Sequence, residues 1–187
     1  LRKSGIPVVL VDPHRSVDST PQLIRTIADA VGKPDAGEAL VKRTQEQIDQ
    51  AKKQIAAWKP AKPMRVAFLY VRGNAGVFFI LGSENGASEL IQGVGADDVA
   101  SDKGITTLVP ANAESLVSIN PDAIFVMRDG LASTGGMKGL LARAGVANTT
   151  AGRKQRVISI PDGISLSFGP QTGEVLTAVA KALYGVK

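Results

Sequence analysis

Apolar residues fall along this chain in two rhythms. Short, nearly unbroken runs stand at 6–11 (IPVVLV), 64–71 (MRVAFLYV), 77–81 (VFFIL), 123–127 (AIFVM) and 156–160 (RVISI). All but the apolar run at 77–81, which follows a Gly-rich turn, read as buried strands from their length and their Gly, Pro or Asp bounds. Between them apolar residues recur every three or four positions, the helical period. Ser19-Thr20-Pro21 opens one helix with a hydroxyl cap and Pro at the first helical position; Leu23, Ile24, Ile27, Ala28 and Val31 carry it to Gly32. Residues 34–58 form the longest pattern. There Leu40, Ile48, Ala51, Ile55 and Trp58 make one stripe with Thr44 filling the gap, and Lys59-Pro60-Ala61-Lys62-Pro63 ends it. About 22 residues at about 1.5 Å each give a rod of roughly 33 Å. Glu38 with Lys42, and Asp49 with Lys53, are acid-before-base pairs at i,i+4, each worth about 0.2–0.5 kcal/mol. Such a rod suits a helix lying across two lobes or an ordinary surface helix.

After this helix the pattern alternates. The run at 64–71 leads into a Gly-rich turn, Gly73-Asn74-Ala75-Gly76, and the apolar run at 77–81. A short helix with Leu90 and Ile91 ends at Gly93-Val94-Gly95. Residues 106–109 read as a short extended segment, and Asn112 caps a helix through Leu116, Val117 and Ile119. Residues 136–144 are helical up to Gly145, and Gly169-Pro170 opens a last helix over 175–183. Strands separated by helices predict an α/β fold, a parallel sheet flanked by helices and joined by βαβ crossovers. A core-like strand this close to residue 1 reads as the tail of a longer domain.

Length and composition narrow the classes. The 187 residues suffice for one domain with a real core, or for a small domain plus pieces. No run of about eighteen apolar residues exists, so no membrane span is expected. Residues 1–5 lead straight into the strand-like run, without the pattern of a signal peptide. The net charge of +5 favours anions in general. The basic residues are scattered, however, and aromatics make up only 4% of the chain, which argues against a base-stacking nucleic-acid surface. With no cysteine there are no disulfides, thiolate zinc sites or Cys nucleophiles.

Candidate chemistry concentrates at strand ends. Tyr70 and Arg72 are two residues apart, so on a strand their side chains leave one face. In an open parallel sheet, ligands bind beyond the carboxyl ends of the strands. A phenolate oxygen is a hard donor that suits ferric iron, and tyrosine is an axial haem ligand in some proteins. A neighbouring cation such as Arg72 favours the ionised phenol. The alternative is a half-buried Tyr beside a solvated Arg. Met127 ends another strand, either as a thioether near the same edge or as a core residue. His14 is the sole histidine and cannot build a multi-His metal site. No glycine cluster matches a phosphate-binding loop, and no Ser has Gly at both −2 and +2 as a nucleophile elbow requires. Asp97, Asp98 and Asp102 read as a solvated acidic loop. Glu114, in the first turn after Asn112, is a carboxylate favoured by the helix dipole.

The segment from Pro110 to Val126 (PANAESLVSINPDAIFV) resembles the S-x-E-x-L…P-D-x-I-x-V stretch of the substrate-binding proteins of ABC transporters for haem, siderophores and vitamin B12. Gly139-Leu140-Leu141, Ala151-Gly152-Arg153, Arg156-Val157 and Phe168-Gly169-Pro170 fall where haem-binding members have similar residues. Phe68-Leu69-Tyr70-Val71-Arg72-Gly73 looks most like the haem-binding lipoproteins of actinobacteria, the HmuT type. The resemblance covers most of the chain.

That family implies two α/β lobes joined by one long helix, with ligand gripped between them. On it, residues 1–33 correspond to the end of the first lobe, 34–60 to the connecting helix and 61–187 to the second lobe. Tyr70 matches the axial tyrosine, Arg72 the arginine that holds it, Met127 a methionine near the haem, and Glu114 the lobe-tip glutamate that meets the permease. The resemblance implies a non-enzymatic carrier outside the cytoplasmic membrane, anchored as a lipoprotein. Its transported ligand would be haem, and its partners an ABC permease and other surface haem-binding proteins. His14 does not match the opposing axial histidine. Gln171 stands where many haem-binding members have Arg after Gly-Pro. A siderophore or cobalamin carrier of the same fold, and a small flavodoxin-like enzyme, are the alternatives.

Overall fold

The structure, a computed structural model, describes residues 6, 8–73 and 76–186. Each apolar run from residue 65 onward forms a strand where a ladder partner exists. Arg65–Arg72 (β1) is central. Val77–Ile80 (β2), Asp97–Asp98 (β3), Val109–Pro110 (β4), Ala123–Met127 (β5) and Val157–Ile160 (β6) complete one six-stranded sheet. Its order is β4-β2-β1-β5-β6, with β3 pairing the start of β1. The registers Leu69↔Val126 and Val126↔Ser159 align β1, β5 and β6 in parallel, so their carboxyl ends finish side by side.

Period-2 alternation divides β1 between two cores. Val66 and Phe68 point to the face covered by Pro34–Trp58 (α2), Ala87–Gly93 (α3) and Thr172–Tyr184 (α8). There Phe68 meets Phe125 edge-on, with ring centroids 6.4 Å apart. Ala67, Leu69 and Val71 point to the other face, against Ala113–Ile119 (α4), Gly136–Leu141 (α6) and Thr150–Arg153 (α7). Asn112 caps α4 as expected: its side chain accepts from Ser115 N, and Ser115 Oγ accepts from Asn112 N. Arg65 donates to the carbonyls of Ile119 and Asn120, satisfying the other end of α4.

The bounds of α2 match the sequence reading because prolines stand at both ends. The stripe holds for Thr44, Ile48, Ala51 and Ile55, all buried. Toward the start it turns from Leu40 to Gly37 and Val41, since this half packs on Thr20–Ala30 (α1). A Cβ on Gly37 would fall under 3.0 Å from Ala28 Cβ. The i,i+4 pairs expected on α2 are replaced by other contacts. Glu38 takes Arg25 of α1 at 2.6 Å, which lowers the Glu38 pKa and raises that of Arg25, and Asp49 accepts from Gln45 at 2.9 Å. Only the Glu38 partner comes from another helix, where the close packing of α1 on α2 brings Arg25 within reach; Gln45 lies on α2 itself.

Three other expectations change. Residues 8–12 form no strand, and Val9 and Leu10 are exposed. No strand among the described residues lies beside them, and an unpaired apolar run has no ladder to join. Residues 1–5 and Pro7, where the strand-like start was read, lie outside the described residues. The sheet is mixed rather than wholly parallel: β2 runs antiparallel to β1, and β4 to β2. Four residues separate β1 from β2, enough for a hairpin and far too few for a crossover. Gly73 and Gly76 bend it with φ of 60° and 65°. Arg128–Ser133 (α5) is a helix with no apolar stripe to announce it.

Candidate functional site

β1 ends with Tyr70 and Arg72 at the carboxyl edge of the sheet, both partly buried. Tyr70 continues the Val66 and Phe68 face and packs against that core together with Met127, Ile164 and Leu166. The sheet register sets Tyr70, Met127 and Ile160 in one row across β1, β5 and β6. Arg72 stands two residues beyond that row on β1, and Asp162 two beyond it after β6.

Arg72 crosses over β5. Its guanidinium carbon lies 4.9 Å from the centre of the Tyr70 ring, a cation–π contact. Nη1 donates to Val71 O at 3.2 Å, and Nη2 donates to Met127 Sδ at 3.5 Å and to Asp162 Oδ1 at 2.7 Å. The charge of Arg72 thus sits on the ring face. Among the described residues, no group hydrogen-bonds the Tyr70 hydroxyl. Sequence reasoning anticipated Arg72 beside the phenol oxygen; the geometry sets it over the ring, held by a carboxylate.

Two supporting residues escaped the sequence reading. Asp162 accepts from Arg72 with one oxygen and from Asp129 N at 2.8 Å with the other. The carboxyl-edge rule applied to the strand over 156–160 would have pointed to it. Gly130 carries the other requirement. A Cβ there would fall under 3.0 Å from Arg72 Nη1 and from Val71 O, and no sequence signal announces that.

The turn after Tyr70 and Arg72 is fastened too. Gly73 N donates to Ser133 Oγ at 2.9 Å, and Arg143 donates to Gly73 O while lying 5.2 Å from the Phe78 ring centre. The second tyrosine is engaged elsewhere. Tyr184 donates to Val94 O at 2.7 Å, and burial, with Asp97 nearby, raises its pKa.

The remaining candidates do not join this cluster. Exposed His14 lines a polar concavity with Arg15, Glu84 and Glu89. Asp98 turns inward to accept from Ser88 Oγ and Ala100 N, so the expected solvated acidic loop is partly a buried turn. Exposed Glu114 follows β4, whose Pro110 lies in register with Phe79, itself opposite Tyr70. It therefore stands at the same edge of the sheet, on the outer rim. Gln171 precedes α8 and is exposed.

Solved structures with this architecture are numerous. The crystal structure of heme binding protein HmuT is 47% identical over all of this chain, with a TM-score of 0.95. Similar structures of that protein include variants replacing a histidine, a tyrosine, and the arginine two residues after that tyrosine. Periplasmic heme-binding protein RhuT from Roseiflexus sp. RS-1 is 34% identical over 98% of this chain and 69% of its own, with a TM-score of 0.92. Periplasmic heme-binding protein BhuT, solved with two hemes, is 31% identical over 98% of this chain and 68% of its own, with a TM-score of 0.88. This chain spans 60% of the length of the HmuT chain it matches. Among curated protein sequences none matches.

The resemblance read from the sequence is thereby borne out at the level of family and fold. These relatives are binding proteins by name, which removes the flavodoxin-like enzyme from consideration. Residues 1–163 match the family described as periplasmic binding protein, and this chain belongs to that family.

Proposed function

We propose that this chain supplies one jaw of a haem-binding protein that works outside the cytoplasmic membrane and delivers haem to an ABC importer. In this reading residues 1–33 end the first lobe, 34–60 connect the lobes and 61–187 form the second. Haem is the transported ligand. The Tyr70 oxygen binds ferric iron, Arg72 supports it from the ring face, and Met127 meets the porphyrin. Arg and Lys side chains around the cleft take the propionates.

The observation that carries this reading is the convergence of Tyr70, Arg72 and Met127 at one edge of the sheet, with the Tyr70 hydroxyl unengaged by the other described residues. The HmuT variants add support, since the tyrosine and arginine replaced in them have the spacing of Tyr70 and Arg72. The histidine replaced in that protein precedes the tyrosine by more residues than precede Tyr70 here. His14 is accordingly not its counterpart.

The test is a titration of the full-length protein with haem, a ferric siderophore and cobalamin. Tight haem binding with a high-spin ferric-tyrosinate spectrum is expected. Tighter binding of the siderophore or cobalamin would replace this reading with the other carrier type. Glu114, at the rim, is proposed to meet basic pockets of the permease, with lipoprotein anchoring keeping the protein at the membrane. Glu114→Arg should leave haem titration unchanged and lower haem uptake by cells; undiminished uptake would remove the docking role.

A further inference from the structure

We infer that Asp162 is a positioning residue for the iron site. It fixes Arg72, 90 residues away in sequence, on the face of Tyr70, and so sets the electrostatics of the ligating oxygen. The inference rests on the reading of Tyr70 as the iron ligand.

Three strand ends hold the guanidinium. β1 supplies Val71 O, β5 supplies Met127 Sδ, and the turn after β6 supplies Asp162. Only the Asp162 contact joins the guanidinium to an opposite charge, at 2.7 Å; the other two acceptors are neutral. The carboxylate is itself prevented from turning. Its second oxygen accepts from Asp129 N, and its backbone sits in a turn where Ser165 N donates to Pro161 O and Ser165 Oγ to Asp162 O. Gly130 keeps open the space the guanidinium fills. Adjacent strands lie about 4.8 Å apart. An Arg on β1 therefore reaches β6 only by crossing β5, and that path lays its charge over the Tyr70 ring. With Asp162 neutral, the remaining acceptors are a carbonyl and a thioether, and the side chain, a third of it already exposed, is drawn to water.

The experiment uses full-length protein loaded with ferric haem. Asp162→Asn keeps the shape and removes the charge. It should shift the tyrosinate-to-iron charge-transfer band in the same direction as Arg72→Ala. It should also speed haem release about 10- to 100-fold, the usual effect of losing a group that orients a ligand. In the Arg72→Ala background, Asp162→Asn should weaken haem retention no further, because paired residues are non-additive. In the haem-free protein, the Arg72 Nη2 protons should exchange faster with solvent. A wild-type band and release rate in Asp162→Asn overturn the inference, as does a further loss in the double variant. Failure of the underlying reading is separable. If Tyr70→Phe retains the tyrosinate spectrum, the ligand assignment falls. If Tyr70→Phe loses it while Asp162→Asn is unchanged, only the role of Asp162 falls.

Discussion

Tyr70→Ala, made in the full-length protein, is expected to abolish the ferric-tyrosinate component of the haem spectrum. Haem affinity should fall by about 100-fold or more, since losing a group that merely supports a ligand already costs about 10–100-fold. The reasoning is local. Tyr70 stands near the end of a strand whose residues 66–69 and 71 are buried in two cores, so its position is fixed by β1 rather than by its own contacts. Its ring rests on the core, its charge environment comes from Arg72, and its hydroxyl accepts nothing from the other described residues. Truncation also removes packing, so Tyr70→Phe is the sharper variant: it keeps the ring and deletes the oxygen. Absorption and resonance Raman spectra of the ferric complex, with circular dichroism to verify the fold, decide the matter. Retention of the tyrosinate signature in Tyr70→Phe would place the iron on another residue.

Gly130→Ala is expected to destabilise the protein by about 1–3 kcal/mol, the range for forcing a group into a filled site. Helix propensity alone points the other way, because Ala is better than Gly in a helix by about 1 kcal/mol. The φ of Gly130 is not positive, so the backbone raises no objection. The penalty comes from collision with Arg72 Nη1 and Val71 O. One is the end of a flexible side chain and gives way; the other is backbone in the central strand and does not. Urea unfolding of the single and double variants separates the two. In an Arg72→Ala background the cost should shrink without vanishing. A neutral or stabilising Gly130→Ala would mean that α5 does not press on β1 as closely as described.

Much of this architecture is written in local chemistry. The runs at 64–71, 123–127 and 156–160 became β1, β5 and β6 because continuous apolar residues suit strands covered on both faces. The bounds of α2 and the cap of α4 follow from Pro34, Pro60 and Asn112. What failed was whatever depends on a distant partner. Residues 8–12 are as apolar as β1, yet a strand needs a neighbour and none lies beside them. Glu38 has a good lysine four residues on, yet Arg25 on α1 takes it. At the site, Tyr70 and Arg72 were legible as neighbours on a strand, and Met127 by the same edge argument. The bearing of Arg72 on the ring rather than the oxygen was not, because it depends on Asp162, a single carboxylate after a proline. Nothing in the six residues of α5 marks Gly130 as the place where backbone and guanidinium meet.

The packing of α2 has an optical consequence. The only tryptophan, Trp58, closes this helix beneath Lys181, whose Nζ lies 5.8 Å from its ring centre. Neighbouring Lys59 approaches Gly95, two residues before the β3 pairing with the start of β1. The indole therefore sits at the amino edge of the sheet, while Tyr70 sits near the carboxyl edge. Five strand residues, at about 3.3 Å each, separate Arg65 from Tyr70 along β1. Emission from Trp58 is thus read at a distance on the order of 15–20 Å from the phenol, beyond contact. Any dimming of that emission when a strongly absorbing ligand arrives measures separation through energy transfer, and so works as a built-in ruler from the amino edge of the sheet.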